Sequence, residues 1–208
     1  MKTGCEILNE LIGEYKDEIS LIYGVAGSGK TTIAKLAAIE KAKNSKVVFI
    51  DTENGFSVER FKQLVGDDYK ELLKNIFVVR VDNFKEQCKK IEKLLEIIDL
   101  FDLVIIDTIG YYYRKELKDD VYKINKGLDT QLKILAEITR KGKPVILTNQ
   151  VYSDFNGKIN IVGGNMLKNW CKCLIELENK PRKIKLLKPE KKVMKFEIKK
   201  EGIFKKEE

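Results

Sequence analysis

Glu18-Ile19-Ser20-Leu21-Ile22-Tyr23-Gly24-Val25-Ala26-Gly27-Ser28-Gly29-Lys30-Thr31-Thr32 is an apolar run that passes directly into the pattern G-x-x-x-x-G-K-[ST]. Glycines at these positions let successive backbone N–H groups turn inward around a phosphate. Lys30 is spaced to reach the β and γ oxygens, and the Thr31 hydroxyl to ligate Mg²⁺. Gly24, Val25, Ala26, Gly27, Ser28, Gly29, Lys30, Thr31 and Thr32 are therefore the candidate nucleotide contacts. The run from Glu18 to Tyr23 reads as a short buried strand, and Thr32 to Lys43 as a helix whose N-terminal dipole faces the phosphates. Strand, glycine loop and helix in that order open an α/β domain that binds a nucleoside triphosphate.

Downstream, the same alternation repeats. Lys46 to Asp51 is an apolar strand, Thr52-Glu53-Asn54-Gly55 a turn, and Phe56 to Val65 a short helix. Ile76 to Val79 is a third strand, and Phe84, Cys88, Ile91, Leu94, Leu95 and Ile98 recur at helical spacing behind it. Asp102 to Asp107 is apolar throughout its middle, as expected at the centre of a parallel sheet covered on both faces. Val121, Ile124, Leu128, Leu132, Leu135 and Ile138 mark another amphipathic helix, followed by a strand from Pro144 to Asn149. Repeated β/α units imply a mostly parallel, doubly wound sheet with ligands at the carboxyl ends of its strands. Past Gly163-Gly164 the pattern changes to strands without helices: Cys173 to Glu178, Lys183 to Lys188 and Val193 to Lys199. These extend the sheet as antiparallel strands. The 208 residues fit one domain, with 205–208 as a disordered tail.

Composition narrows the chemistry. The chain contains no histidine, which removes Ser-His-Asp, Cys-His and histidine-metal sites together, so a general base must be a carboxylate, lysine or tyrosine. Four cysteines with one C-x-C pair make no zinc site and read as reduced thiols. No signal peptide or membrane-length apolar run is visible, so a cytoplasmic protein without membrane contact is expected. The net charge of +8 is concentrated at one end: residues 180–208 carry 12 Lys/Arg against 5 Asp/Glu. Such a local excess attracts polyanions, nucleic acid first.

Asp107 ends an apolar strand in the manner of a Walker B carboxylate, which serves the Mg²⁺ held by Thr31. Asp51 ends a strand likewise and is its rival. Glu53, in the turn beside the P-loop strand, is the carboxylate available to orient a water toward the γ-phosphorus. Gln150 closes another strand at the same sheet edge, where an amide can bond the γ-phosphate and report its loss to the next loop.

The strings Ile50-Asp51-Thr52-Glu53-Asn54-Gly55-Phe56-Ser57-Val58-Glu59-Arg60, Val104-Ile105-Ile106-Asp107 and Leu147-Thr148-Asn149-Gln150-Val151, in that order behind the P-loop, resemble the RecA/RadA recombinase family. The resemblance runs from Thr3-Gly4 to the final strands, and implies a RecA-like P-loop NTPase with ATP and Mg²⁺ as cofactors. It implies Glu53 as catalytic glutamate, Lys30 as phosphate lysine, and Thr31 and Asp107 as metal residues. Gln150 falls on the γ-phosphate sensor, Arg60 and Gln63 on the adenine contacts, and Asp51 drops to a structural role. Two segments match the family's DNA loops, about Tyr111 to Asp120 and about Tyr152 to Val162. In the first, Tyr112, Tyr113, Arg114 and Lys115 set aromatics beside cations, which suits stacking on single-stranded DNA. In the second, Lys158 is the main cation.

The departures also carry meaning. The family's N-terminal helical domain and Phe-x-x-Ala linker have no counterpart, so strand exchange by a self-assembled filament is not expected. Ser57 and Val58 replace the family's usual arginine and proline, and turnover is expected to be weak. The implied function is an ATP- and DNA-binding accessory protein of homologous recombination and repair. Its expected partners are DNA, single-stranded in preference, and the recombinase RadA or other repair proteins, with a homodimer as the candidate self-assembly. A recombinase-binding adaptor with structural nucleotide and a KaiC-like signalling ATPase are the rival readings.

Overall fold

The computed structural model describes residues 1–118, 120–153 and 159–206. Its elements are α1 (Glu6–Ile12), β1 (Ile19–Gly24), α2 (Lys30–Ala42), β2 (Val47–Asp51), α3 (Val58–Val65), α4 (Tyr69–Leu73), β3 (Ile76–Arg80) and α5 (Phe84–Ile97). After a single 3₁₀ turn come β4 (Leu103–Asp107), α6 (Tyr111–Glu116), α7 (Val121–Arg140), β5 (Val145–Ser153), β6 (Ile159–Ile161) and α8 (Gly164–Trp170). The chain then runs through β7 (Cys173–Asn179), β8 (Arg182–Lys188), β9 (Lys192–Ile198) and β10 (Ile203–Lys205).

The strand order is β10-β9-β8-β7-β1-β5-β4-β2-β3, with β6 paired to β5 off this path. From β7 to β3 every neighbouring pair is parallel, and β8, β9 and β10 continue the sheet antiparallel. Burial explains why β1, β2 and β4 read as unbroken apolar runs: every residue of each is buried. Alternate side chains enter two different cores. Ile22, Phe49 and Ile105 pack with α1, α2 and α3 on one face, whereas Leu21, Val48, Ile50, Val104 and Ile106 pack with α5, α7 and α8 on the other.

Local chemistry fixes the helix starts. Ser57, Asn83 and Asp120 accept from the backbone N–H three residues on, capping α3, α5 and α7. α7 crosses α5 at Gly127, where a Cβ would come within 2.8 Å of Phe84 Cε1.

The C-terminal strands alternate as their sequence implies, Ile184 and Leu186 being buried while Lys183 and Lys185 are not. The expected tail at 205–208 requires correction. Lys205 belongs to β10, opposite Phe196, and the Lys206 N–H donates to the Lys195 carbonyl at 3.1 Å. Ile203 is buried and anchors this short strand, while positions 207 and 208 lie outside the described residues. The segment from Tyr152 to Val162 is not simply a loop either. Its ends form a hairpin arm, with Tyr152 paired to Asn160 and Val151 to Ile161.

Candidate nucleotide site

Sheet register brings the sequence-predicted residues to one edge. Gly24 at the end of β1 lies opposite Gln150 of β5, and Asp51 at the end of β2 lies opposite Asp107 of β4. The loop from Gly24 to Gly29 then enters α2. Gly27 (φ 70°) and Gly29 (φ 108°) occupy the left-handed region that glycine adopts without strain. A Cβ on Gly27 would meet nothing within 4 Å, so the crown of the loop is open, whereas one on Gly29 would come within 2.9 Å of Ile198 Cδ1.

Inside this cradle the Ser28 hydroxyl is buried and has no hydrogen-bond partner. A buried polar atom without a partner carries a desolvation penalty, and this one belongs to the loop whose glycines free its backbone N–H groups to turn toward a phosphate. The residues present fit a phosphate group. Lys30 is buried and its Nζ donates to the carbonyls of Gly24 (2.9 Å) and Val25 (2.8 Å), keeping the ammonium within the loop. Burial pushes its pKa down, against the opposing pull of Asp107 and Glu53. Ala26 and Thr32 take their expected places, in the loop and in the first turn of α2.

The Asp107 carboxylate accepts a very short hydrogen bond from Thr148 Oγ1, and the Thr31 hydroxyl lies near enough to favour its charged form. Asp107 is held above the usual carboxylate range, first by burial and then by the neighbouring charges of Glu53 and Asp51, and both hydroxyl donors oppose that rise. Thr31 and Asp107 together form the hydroxyl–carboxylate pair that could hold a divalent cation.

Glu53 stands across from this pair. Its carboxylate accepts two hydrogen bonds from Gln150 Nε2 (2.9 and 2.8 Å) and one from Thr108 Oγ1 (2.5 Å). The turn that carries it is tied to β2 by Asp51, whose carboxylate accepts from the N–H groups of Glu53 (3.3 Å), Gly55 (3.0 Å) and Phe56 (2.9 Å). Asp51 thus has the structural role the resemblance implied. Thr52 locks the same turn to β4: its hydroxyl donates to the Thr108 carbonyl (2.9 Å) and accepts from the Thr108 N–H (2.8 Å).

Thr108, Thr148 and Asn149 are site residues that sequence reasoning missed. Asn149 is buried, donates to the Val162 carbonyl (2.7 Å) and accepts from the Gln150 N–H (3.0 Å), so it links Gln150 to the end of the hairpin arm. The available signal was polar residues continuing a buried strand, Thr148-Asn149 directly after Ile146-Leu147. Arg182 at the start of β8 was also missed; its guanidinium donates to the Gly27 carbonyl at 3.2 Å.

Arg60 and Gln63 lie together on α3, as expected, with Arg60 Nη1 donating to Gln63 Oε1 at 2.9 Å. The same guanidinium also grips the turn between β9 and β10 through the carbonyls of Lys200 (2.9 Å) and Lys199 (3.1 Å).

The tyrosine run corrects a DNA-binding expectation. Tyr112 and Tyr113 are 9% and 7% exposed. Their hydroxyls donate to the Val81 carbonyl (2.9 Å) and to Asn125 Oδ1 (2.7 Å), so both rings belong to the core and neither is free to stack on a base. The cause is periodicity: the segment is helical, and two of three consecutive side chains fall on its inner side. Arg114 and Lys115 are exposed, with Lys115 over the Tyr111 ring at 4.2 Å and Arg114 over the Tyr152 ring at 5.9 Å. Tyr152, 42% exposed, is the aromatic that faces outward beside these cations. Lys158 lies outside the described residues.

A P-loop at the first strand, a carboxylate at the end of β4 and a carboxylate–amide pair between them define the RecA-like P-loop fold class. The chain belongs to the Rad51 family, whose model matches residues 1–197. It is 39% identical over 168 residues to the DNA repair and recombination protein RadB of Methanocaldococcus jannaschii, covering 78% of this chain and 79% of that protein. The RadB of Methanococcus maripaludis is 42% identical over 180 residues, covering 83% of this chain and 81% of that one. The crystal structure of a RadB recombinase superposes with a TM-score of 0.82 at 32% identity, covering 99% of each chain.

Proposed function

We propose that this chain is an ATP- and DNA-binding accessory protein of homologous recombination and repair that acts in the cytoplasm with RadA or other repair proteins. Its ATP works mainly as a switch and is hydrolysed slowly. The observation that carries this reading is the pair of hydrogen bonds from Gln150 to Glu53, made by the residue at which β5 runs on toward the hairpin arm. Membership of the Rad51 family and the names of the RadB relatives, DNA repair and recombination proteins, support the repair assignment.

Lys30 and the loop N–H groups would hold the phosphates, and Thr31 with Asp107 the Mg²⁺. The metal would supply charge stabilisation for the departing phosphate. Glu53 would orient the attacking water. For that, Gln150 must give up its bonds to Glu53 and turn to the γ-phosphate, and through Asn149 and the β5–β6 pairing the change reaches Tyr152. Tyr152, Arg114 and Lys115, together with the lysine-rich C-terminal strands, supply a stacking ring and phosphate-binding cations. Among the described residues no helix is long and apolar enough to cross a membrane.

The test measures binding of a fluorescent ATP analogue and of single-stranded DNA by Lys30→Ala, Glu53→Gln and Gln150→Ala. Lys30→Ala should lose nucleotide, Glu53→Gln should bind but not hydrolyse, and Gln150→Ala should uncouple DNA affinity from nucleotide. DNA affinity that ignores both ATP and salt concentration would refute the switch and the electrostatic interface together.

A further inference from the structure

We propose that Lys35 is a positioning residue for hydrolysis: it clamps the turn that carries Glu53 and so sets the rate of the chemical step, not the affinity for nucleotide. This rests on the reading of Glu53 as the group that orients water. Lys35 lies on α2, one helical turn beyond Thr31 and on the same face. It is only 2% exposed. Its Nζ donates to the Gly55 carbonyl at 2.9 Å and sits 5.4 Å from the centroid of the Phe56 ring. Burial pushes its pKa down, and the fields of Asp107 and Asp51 hold it up. Burying an ammonium is costly unless it is paired, and a methionine would fill the same space without that cost. What the charge secures here is the position of one carbonyl.

That carbonyl lies at a sensitive point. On one side of the turn Asp51 takes the N–H groups of Glu53, Gly55 and Phe56, and on the other Lys35 takes the Gly55 carbonyl, so the backbone is held from both sides. A Cβ on Gly55 would lie 3.9 Å from Thr31 Cγ2 and 4.0 Å from Asp107 Oδ2, so the turn abuts the pair suited to the metal. Movement at Gly55 therefore shifts Glu53 relative to both. The other bonds to Glu53 come from Thr108 and Gln150, and Gln150 is the group that must let go when nucleotide binds. Lys35, Asp51 and Thr52 hold the turn through bonds that do not involve the Glu53 carboxylate.

Lys35→Met should lower single-turnover hydrolysis about tenfold or more, the range seen when groups behind a metal site are removed. Its dissociation constant for a fluorescent ATP analogue should stay unchanged. Lys35→Arg, which keeps a charged donor, should recover part of the rate. In the nucleotide-free protein, hydrogen exchange at the amides of Gly55 and Phe56 should be faster in Lys35→Met than in wild type. If Lys35→Met does not fold, Lys35→Gln takes its place in the same measurements.

Glu53→Gln is run alongside to separate the two ideas. Loss of hydrolysis in Glu53→Gln with wild-type hydrolysis in Lys35→Met overturns the clamp alone. Full hydrolysis in Glu53→Gln overturns the role of Glu53, and the clamp then stands or falls on the exchange rates. Joint loss of affinity and rate in Lys35→Met places the lysine in nucleotide binding and overturns the proposal.

Discussion

Replacing Thr148 by valine keeps the shape of a fully buried side chain and removes one hydroxyl, the one that donates to Asp107. Hydrogen bonds to charged groups contribute about 1.5–3 kcal/mol, so at a pH where Asp107 is charged the variant should lose about 2 kcal/mol. For a chain of this length that corresponds to a Tm lower by about 4–8 °C. The pH dependence has a definite sign. In the folded protein the Asp107 pKa lies above its unfolded value, so the folded state gains from a proton that the unfolded state has already released. Losing a donor that stabilises the charged form raises the folded pKa further. The extra destabilisation is therefore present above that raised pKa and disappears as the pH falls through it. Thermal melts of wild type and Thr148→Val, at the highest and at the lowest pH where both remain folded, measure the difference. Equal Tm values at the high end of that range, or a gap that stays constant on acidification, would refute the reasoning. In the first case the hydroxyl contributes nothing, and in the second it serves the fold without regard to the charge on Asp107.

The corrected tyrosines separate core from surface. Tyr152→Ala should weaken single-stranded DNA binding by about 1–3 kcal/mol, whereas Tyr112→Phe should leave DNA affinity unchanged and lower stability by about 1 kcal/mol; titrations and melts on both variants check this. Phe49, fully buried and edge-on to Phe56 with ring centroids 5.1 Å apart, links the core to the turn that carries Glu53. Phe49→Ala should cost about 3–5 kcal/mol in denaturant unfolding, and a loss under half of that would mean the core does not bear on this strand as described.

What the sequence made legible was whatever a short stretch encodes by itself. The P-loop is local, because its glycines, lysine and threonine are adjacent and their spacing is the mechanism. The strands were legible for the same reason: β1, β2 and β4 are buried on both faces and read as continuous apolar runs. Tyr111 to Lys115 was misleading because aromatics beside cations describe a stacking surface and an amphipathic helix equally well. Only the direction of each side chain separates the two, and that is set by packing against Phe84 and Val81, some thirty residues earlier. Lys205 escaped notice because a strand of three residues has no pattern of its own; it exists through pairing with β9.

The hydrogen bonds around Glu53 were illegible in the same way. Its partners Thr108 and Gln150 lie 55 and 97 residues away and meet it only because parallel register aligns the carboxyl ends of β2, β4, β1 and β5. The sequence contained the candidate groups for binding and for reaction, but the bond from Gln150 to Glu53, on which the proposed switch depends, arises from sheet topology.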